Sequence, residues 1–412
     1  MELHPAIYLI LEVLMTTVVV GFTSTHSLLR IACLPFMTLL LWECVPLCMI
    51  YMVRMPWASM LGGYATSFYL QYIDVALLSR WDYSTGRPES GLSLASAARI
   101  NGGESWLDRL KFGFQTSTNW RWVNTPYAVK NIPHFSDSDP EHIPNKGVFL
   151  LRTLKVIAVS YLILDVLGSS SDVEITNKFF SSERIPIFKR RGVPITAEEI
   201  IIRIFAAMSL GMGMNAVQRG TYSIVAFCAV ALGFSEPRDW PPFYQSYSEA
   251  YTTRRLWSVF WHQTNTHRVS SMSHFLIHNA LGLQRGKILS RYLRGFTTFL
   301  ISGVMHLVID ISAGISARDS GAVHFFATHF MVIVMEDTVI ALWRYIFRKA
   351  KTEASGPTTL QRLLGMGWVI VVLTWSTPIY LTPMMYRAKE GFEDSVVPWS
   401  IVRALGGAVR KW

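Results

Sequence analysis

His306 stands alone in an apolar run, Phe299-Leu-Ile-Ser-Gly-Val-Met-His-Leu-Val-Ile-Asp310, and it is the side chain in this sequence best suited to move a proton. An ionisable group in such a run costs roughly 2.5–3.5 kcal/mol on insertion scales, so its presence is by default a functional-site hypothesis. At 3.6 residues per turn, Ser302, His306 and Asp310 share one helix face. An imidazole beside a carboxylate has its tautomer and orientation fixed and its basicity raised, which is what a general base acting on a hydroxyl needs. The competing reading is a packing histidine bonded to a neighbouring helix. Residue spacing alone leaves both open.

A second constellation lies upstream, Arg254-Arg-Leu-Trp-Ser-Val-Phe-Trp-His-Gln-Thr-Asn-Thr-His267. Trp257 and Trp261 are spaced to share a helix face, with His262 at its edge and Gln263, Asn265 and His267 following. An interfacial aromatic anchor accounts for the tryptophans. It accounts poorly for so many His, Gln and Asn residues around them.

Other chemistries fare worse. His274 and His278 have the spacing for a shared ion, whereas His324 and His329, five apart, do not. There is no His-His pair of the kind a membrane di-iron oxygenase uses, and no Cys/His zinc spacing, so no metal is expected. Nucleotide fingerprint, P-loop and GxSxG elbow are missing. Asp137-Ser-Asp139 is a weak candidate for holding Mg²⁺–diphosphate. Glu336-Asp337 within a late apolar segment is a second costly pair, expected to line a cavity, bond across helices or meet water.

The elements that must position these groups are membrane helices. The chain is 51% hydrophobic and 16% charged, against about 25% charged for soluble proteins. Runs near 5–22, 31–53, 56–78, 148–167, 200–234, 295–313, 323–345 and 364–384 approach the roughly 20 residues a crossing requires. The 200–234 run is long and holds Gly211-Met-Gly-Met-Asn-Ala-Val-Gln-Arg-Gly220, so it is expected to be two spans, or one span with a re-entrant turn. The expected fold is all-α, a polytopic integral membrane protein with eight or nine transmembrane helices in a single domain over 1–412. Met1-Glu-Leu-His-Pro has no secretory-signal features, so the first run is expected to remain a span. The four cysteines lie in apolar segments and read as small buried hydrophobes.

The net charge of +10 is carried by connections, as for loops held on the cytoplasmic side. Residues 236–294 are placed there. The same bias could attract the phosphates of an acyl-CoA, but topology alone would produce it. No basic soluble face suggests nucleic acid. In the polar connection from Arg80 to Lys146, Trp106, Leu107, Leu110 and Phe114 are spaced for a helix lying in the interface, with Trp120 and Trp122 in the same aromatic belt; a partly folded loop packed on the helices is the equal alternative.

At these residues the sequence resembles a known family. Arg254-Arg-Leu-Trp-Ser-Val-Phe-Trp-His-Gln263, followed by Ser302-Gly-Val-Met-His306, is similar to the wax-synthase-like branch of the membrane-bound O-acyltransferases, and within it to fungal acyl- and acetyltransferases of secondary metabolism. The specific motifs cover 254–310. His262 stands where many superfamily members have Asn, and Leu256-Trp-Ser258 where wax synthases commonly have Phe-Trp-Gly. The resemblance implies acyl transfer, acetyl being the expected group, from an unbound acyl-CoA co-substrate to a hydroxyl of a hydrophobic terpenoid or meroterpenoid alcohol, at the endoplasmic reticulum membrane. It implies His306 as base with Asp310 orienting it, and His262, with Asn265, at the thioester carbonyl. Trp257, Trp261 and Ser302 would line the substrate chamber. A long-chain wax-ester synthase is the alternative within enzymes, and a transporter or scaffold the alternative outside them.

Overall fold

The computed structural model describes residues 3–88, 105–170, 172–187, 192–346, 357–388 and 395–409. Lys189-Arg-Arg191, in the connection before Thr196, lies outside the described residues. In chain order the helices are α1 (Pro5–Phe22), α2 (Leu28–Ala32), α3 (Leu34–Met52), α4 (Met55–Tyr72), α5 (Trp106–Thr118), α6 (Lys146–Ser169) and α7 (Val173–Phe179). They continue with α8 (Ala197–Ala231), α9 (Thr253–Arg255), α10 (Thr266–His274), α11 (Ile288–Ser312), α12 (Ala322–Ile346), α13 (Thr359–Ala388) and α14 (Ile401–Val409). Among the described residues, seven helical stretches are long and apolar enough to cross a membrane, α2 and α3 counting as one. α4 is as long as α1 but is not among the seven. Counting it reaches the lower end of the expected eight or nine.

The chain forms two compact units, residues 1–130 with 264–323, and residues 131–263 with 324–412.

In the first unit, helices meet through glycines that admit close backbone approach. A methyl group on Gly113 would strike the Thr17 carbonyl, and one on Gly21 the Arg109 carbonyl, so α5 runs antiparallel along α1. This departs from a helix lying in the interface plane. α5 has 13 residues, about 20 Å of helix, which is too short to cross some 30 Å of hydrocarbon. Trp106, Leu107 and Phe114 are exposed on it while Phe112 is buried. Trp122 departs from the expected aromatic belt too. Trp122 is buried and stacks on Trp81 at 3.9 Å between ring centroids, and Trp120 lies under the Arg268 guanidinium.

α11 packs on α4 by the same device. Ser312 donates to the Ala58 carbonyl at 3.3 Å and fills the space beside Gly62, while Ile309 lies 3.4 Å from where a side chain on Gly63 would begin. Gly62→Ala is expected to overpack this contact and cost about 1–3 kcal/mol, read as a lower thermal midpoint in detergent. Buried Arg30 closes one end of the bundle, donating to the Thr23, Ala76 and Trp81 carbonyls. α4 continues as a π-helical segment, Ile73–Leu78, which carries Asp74.

In the second unit α8 is one uninterrupted helix of 35 residues, about 52 Å long. The expected break at 211–220 does not occur. Glycine in a helix costs only about 1 kcal/mol and there is no proline in α8 to remove a hydrogen bond. Gly220 has a packing reason, since a side chain there would begin 3.1 Å from Ser160 on α6. Of the cysteines, Cys44 and Cys48 are buried, Cys33 is half-buried and Cys228 is exposed on α8.

Candidate active site

The Trp–His stretch begins in the second unit, fastened at its start by carboxylates of α12. Glu336 accepts the Thr253 N–H at 2.9 Å and the Trp368 indole N–H at 2.8 Å on one oxygen, and the Arg254 N–H at 3.4 Å on the other. The free N–H groups and positive dipole at a helix start favour an anion there. Asp337 pairs with the Arg254 guanidinium at 2.5 Å. The costly Glu336-Asp337 pair thus bonds across elements and positions the motif.

After α9 the backbone is π-helical over Leu256–Phe260, closed by the Trp261 N–H donating to the Leu256 carbonyl at 2.8 Å. Trp261 then turns extended, at φ −65° and ψ 150°. Trp257 and Trp261 therefore do not share an α-helical face, yet their rings meet edge-on at 5.6 Å. His262 leaves the helix and sits among Phe243, Trp261 and Tyr244, with centroids at 5.6, 5.5 and 6.0 Å. π-segments recur at functional sites because the extra residue re-aims the side chains that follow.

Trp257 is oriented by His329, which the sequence offers only as a poorly spaced metal ligand. Its indole N–H donates to His329 Nδ1 at 2.9 Å. Indole nitrogen can only donate, so Nδ1 accepts and the ring proton sits on Nε2. Nε2 lies 2.8 Å from Ser376 Oγ, which itself donates to the Val372 carbonyl at 2.7 Å. His329 is fully buried in this chain of bonds. His329→Leu removes the acceptor of a half-buried indole and is expected to lower acyl-transfer kcat/KM severalfold; the check is the steady-state rate, with His329→Asn recovering part of it.

The first unit carries His306 and the end of the motif. His306 Nδ1 is 2.8 Å from the Ser302 carbonyl. A carbonyl only accepts, so Nδ1 bears the proton and Nε2 keeps its lone pair. Ser302 thus serves His306 through its backbone. Asp310 is buried and accepts the Ser320 hydroxyl at 2.6 Å, tying the turn after α11 to that helix. Ile309 packs beside Gly63 of α4, and His306 precedes it by about one turn on the same face of α11. Asn265 holds its carboxamide oxygen against Arg268, the Nε at 3.1 Å.

His267 and Asp74 meet at 2.5 Å. His267 belongs to the Trp–His stretch, whereas its partner lies 193 positions away in the sequence. Asp74 is nonetheless an acid in an apolar run, open to the same insertion-cost argument that singles out His306. At His274 and His278 the ring centroids are 4.7 Å apart, but Arg285 donates to His274 at 2.9 Å and His278 Nδ1 lies 2.7 Å from the Leu283 carbonyl. Among the described residues no three His, Cys, Asp or Glu side chains gather as metal ligands.

Multiple membrane-length helices carrying ionisable side chains, His306 on α11 and His329 on α12 among them, mark a multi-pass membrane protein. Residues 240–328 match the model of the membrane bound O-acyl transferase family. The chain is 33% identical over 384 residues to "Acetyltransferase aurG" of Calcarisporium arbuscula, covering 90% of each. It is 31% identical over 399 residues to "Acetyltransferase fsoF" of Humicola fuscoatra, covering 91% of this chain and 94% of that one. "Acetyltransferase ataH" of Aspergillus terreus is 32% identical over 284 residues, 68% of this chain and 90% of that one. This chain belongs to the membrane-bound O-acyltransferase family. It is an acyltransferase embedded in a membrane, working on an acyl-CoA donor and an acceptor.

Proposed function

We propose that this enzyme moves acetyl from acetyl-CoA to a hydroxyl of a terpenoid or meroterpenoid alcohol at the endoplasmic reticulum membrane. The observation that carries the mechanism is the His306–Ser302 hydrogen bond, which leaves Nε2 as the basic nitrogen of a histidine in an apolar helix. Nε2 takes the hydroxyl proton as the alcohol oxygen attacks the thioester carbonyl. The carbon–sulfur bond breaks, the ester leaves, and the coenzyme A sulfur receives the proton from the imidazolium. Charge developing on the carbonyl oxygen is met by His262, with the Asn265 amide group as a further donor. Trp257 and Trp261 wall the reaction space, and Asp310 positions the end of the helix bearing the base. A ternary complex suffices and no acyl-enzyme is invoked.

Acetyl is favoured by the three relatives above, each named an acetyltransferase. The acceptor class rests on the resemblance to fungal secondary-metabolite enzymes. The test is to incubate membranes containing the protein with labelled acetyl-CoA or palmitoyl-CoA and a panel of terpenoid and fatty alcohols. Labelled acetyl ester of a terpenoid alcohol is expected. Palmitoyl ester of fatty alcohol alone would make it a wax-ester synthase, and no ester from any pair would remove the proposal.

A further inference from the structure

The Asp74–His267 pair is a buried acid–base dyad that the acyl-transfer steps above leave unused. Asp74 is fully buried on its π-segment and accepts the Ser79 hydroxyl at 2.5 Å as well as His267. Ser79 Oγ lies 3.3 Å from Ser271 Oγ on α10, so the dyad staples α10 to the end of α4 twice. His267 keeps about a fifth of its side chain exposed, 21%. The next residue, Arg268, is fully buried. Its Nη1 donates to the Ser67 carbonyl at 3.2 Å and to Gln71 at 3.3 Å, its other nitrogens hold Asn265, and its guanidinium covers Trp120 at 4.4 Å. Gln71 in turn donates to the Thr116 carbonyl at 2.8 Å.

We infer that Asp74 and His267 are positioning residues for acyl transfer: they lock the first turn of α10, and through Arg268 they hold Asn265 and the Ser67–Gln71 stretch of α4, the helix against which α11 with His306 packs. This rests on the His306 reading proposed above. An apolar contact could pin α10 as well, but it would not depend on a proton. With His267 charged, the buried carboxylate has an opposite charge against it; with His267 neutral, that compensation is gone and the staple weakens. Burial pulls the imidazole down, and the Asp74 carboxylate outweighs it, holding His267 above its ordinary value. The charged groups acting on His267 are Asp74, from the element packed against α10, and Arg268 on its own helix; from the loop after α5 it meets the Trp122 indole at 5.5 Å. The charged form therefore persists to higher pH than in an ordinary histidine, and it is lost as pH rises.

The test uses the full chain in membranes and follows ester formation against pH for wild type, His267→Asn and Asp74→Asn. Asparagine at 267 retains an amide donor toward Asp74 but cannot titrate. The expected wild-type profile is a bell, its acid limb from His306 and its alkaline limb from His267. His267→Asn should keep the acid limb, lose the alkaline one, and lower kcat about tenfold or more while the KM for acetyl-CoA stays within about twofold, the pattern of a lost transition-state contribution. Asp74→Asn should lower kcat likewise, and the thermal midpoint in detergent reads whether each variant is folded. If His267→Asn misfolds, His267→Gln is the second variant, with the same expected profile. A folded variant with wild-type kcat, or with the alkaline limb intact, overturns the inference. Absence of ester from wild type would sink the underlying reading instead, and this one with it.

Discussion

Replacing His306 by alanine is expected to reduce kcat/KM for ester formation by about 10²–10⁴-fold, the usual contribution of a general base. The protein should still insert and fold, because the bond at Nδ1 goes to a carbonyl one turn away on the same helix and the ring is only partly buried. The loss should fall on kcat, since Nε2 acts on the alcohol proton in the transition state. His306→Gln, which retains a polar group but no basic nitrogen, should be nearly as slow. Steady-state rates for both variants, with acetyl-CoA binding measured separately, check this. A variant that kept wild-type turnover would make His306 a packing residue.

The second large effect is on stability. Glu336 is 9% exposed and accepts three N–H groups, from Thr253, Arg254 and Trp368. Hydrogen bonds to a charged group contribute about 1.5–3 kcal/mol each, and a buried donor left without its acceptor costs about 1–3 kcal/mol. Glu336→Ala is therefore expected to destabilise the unit by about that amount and to release the start of the Trp257–His262 segment. Thermal inactivation in detergent measures it. Glu336→Gln keeps one carbonyl acceptor and should lose less. Equal stability of Glu336→Ala and wild type would mean the carboxylate does not hold the motif.

The membrane character, the spans and the segments bearing His306 and Trp257 could be read from the chain because apolar length and an isolated charge are local properties. α8 could not be read correctly: its glycines look like a break until Ser160 is seen to occupy the space beside Gly220. α5 was legible as a helix from its apolar spacing, but its path along α1 depends on Gly21 and Gly113 meeting carbonyls far away in sequence. Trp122 looked like an interfacial residue, and only the Trp81 stack explains its burial. The π-turn at 256–260 defeats spacing arguments outright, because they assume the α-helical period that it interrupts. The partners His267–Asp74 and Trp257–His329 are tertiary, and no period in either segment announces them.

One measurement bears most directly on the central claim: release of free coenzyme A thiol from acetyl-CoA, recorded with and without the alcohol, for wild type and His306→Ala. Direct transfer with His306 as base predicts thiol release from wild type only when alcohol is present, in equal amount to the ester, and almost none from the variant. Thiol released by wild type without alcohol, or ester formed at the wild-type rate by His306→Ala, would contradict it.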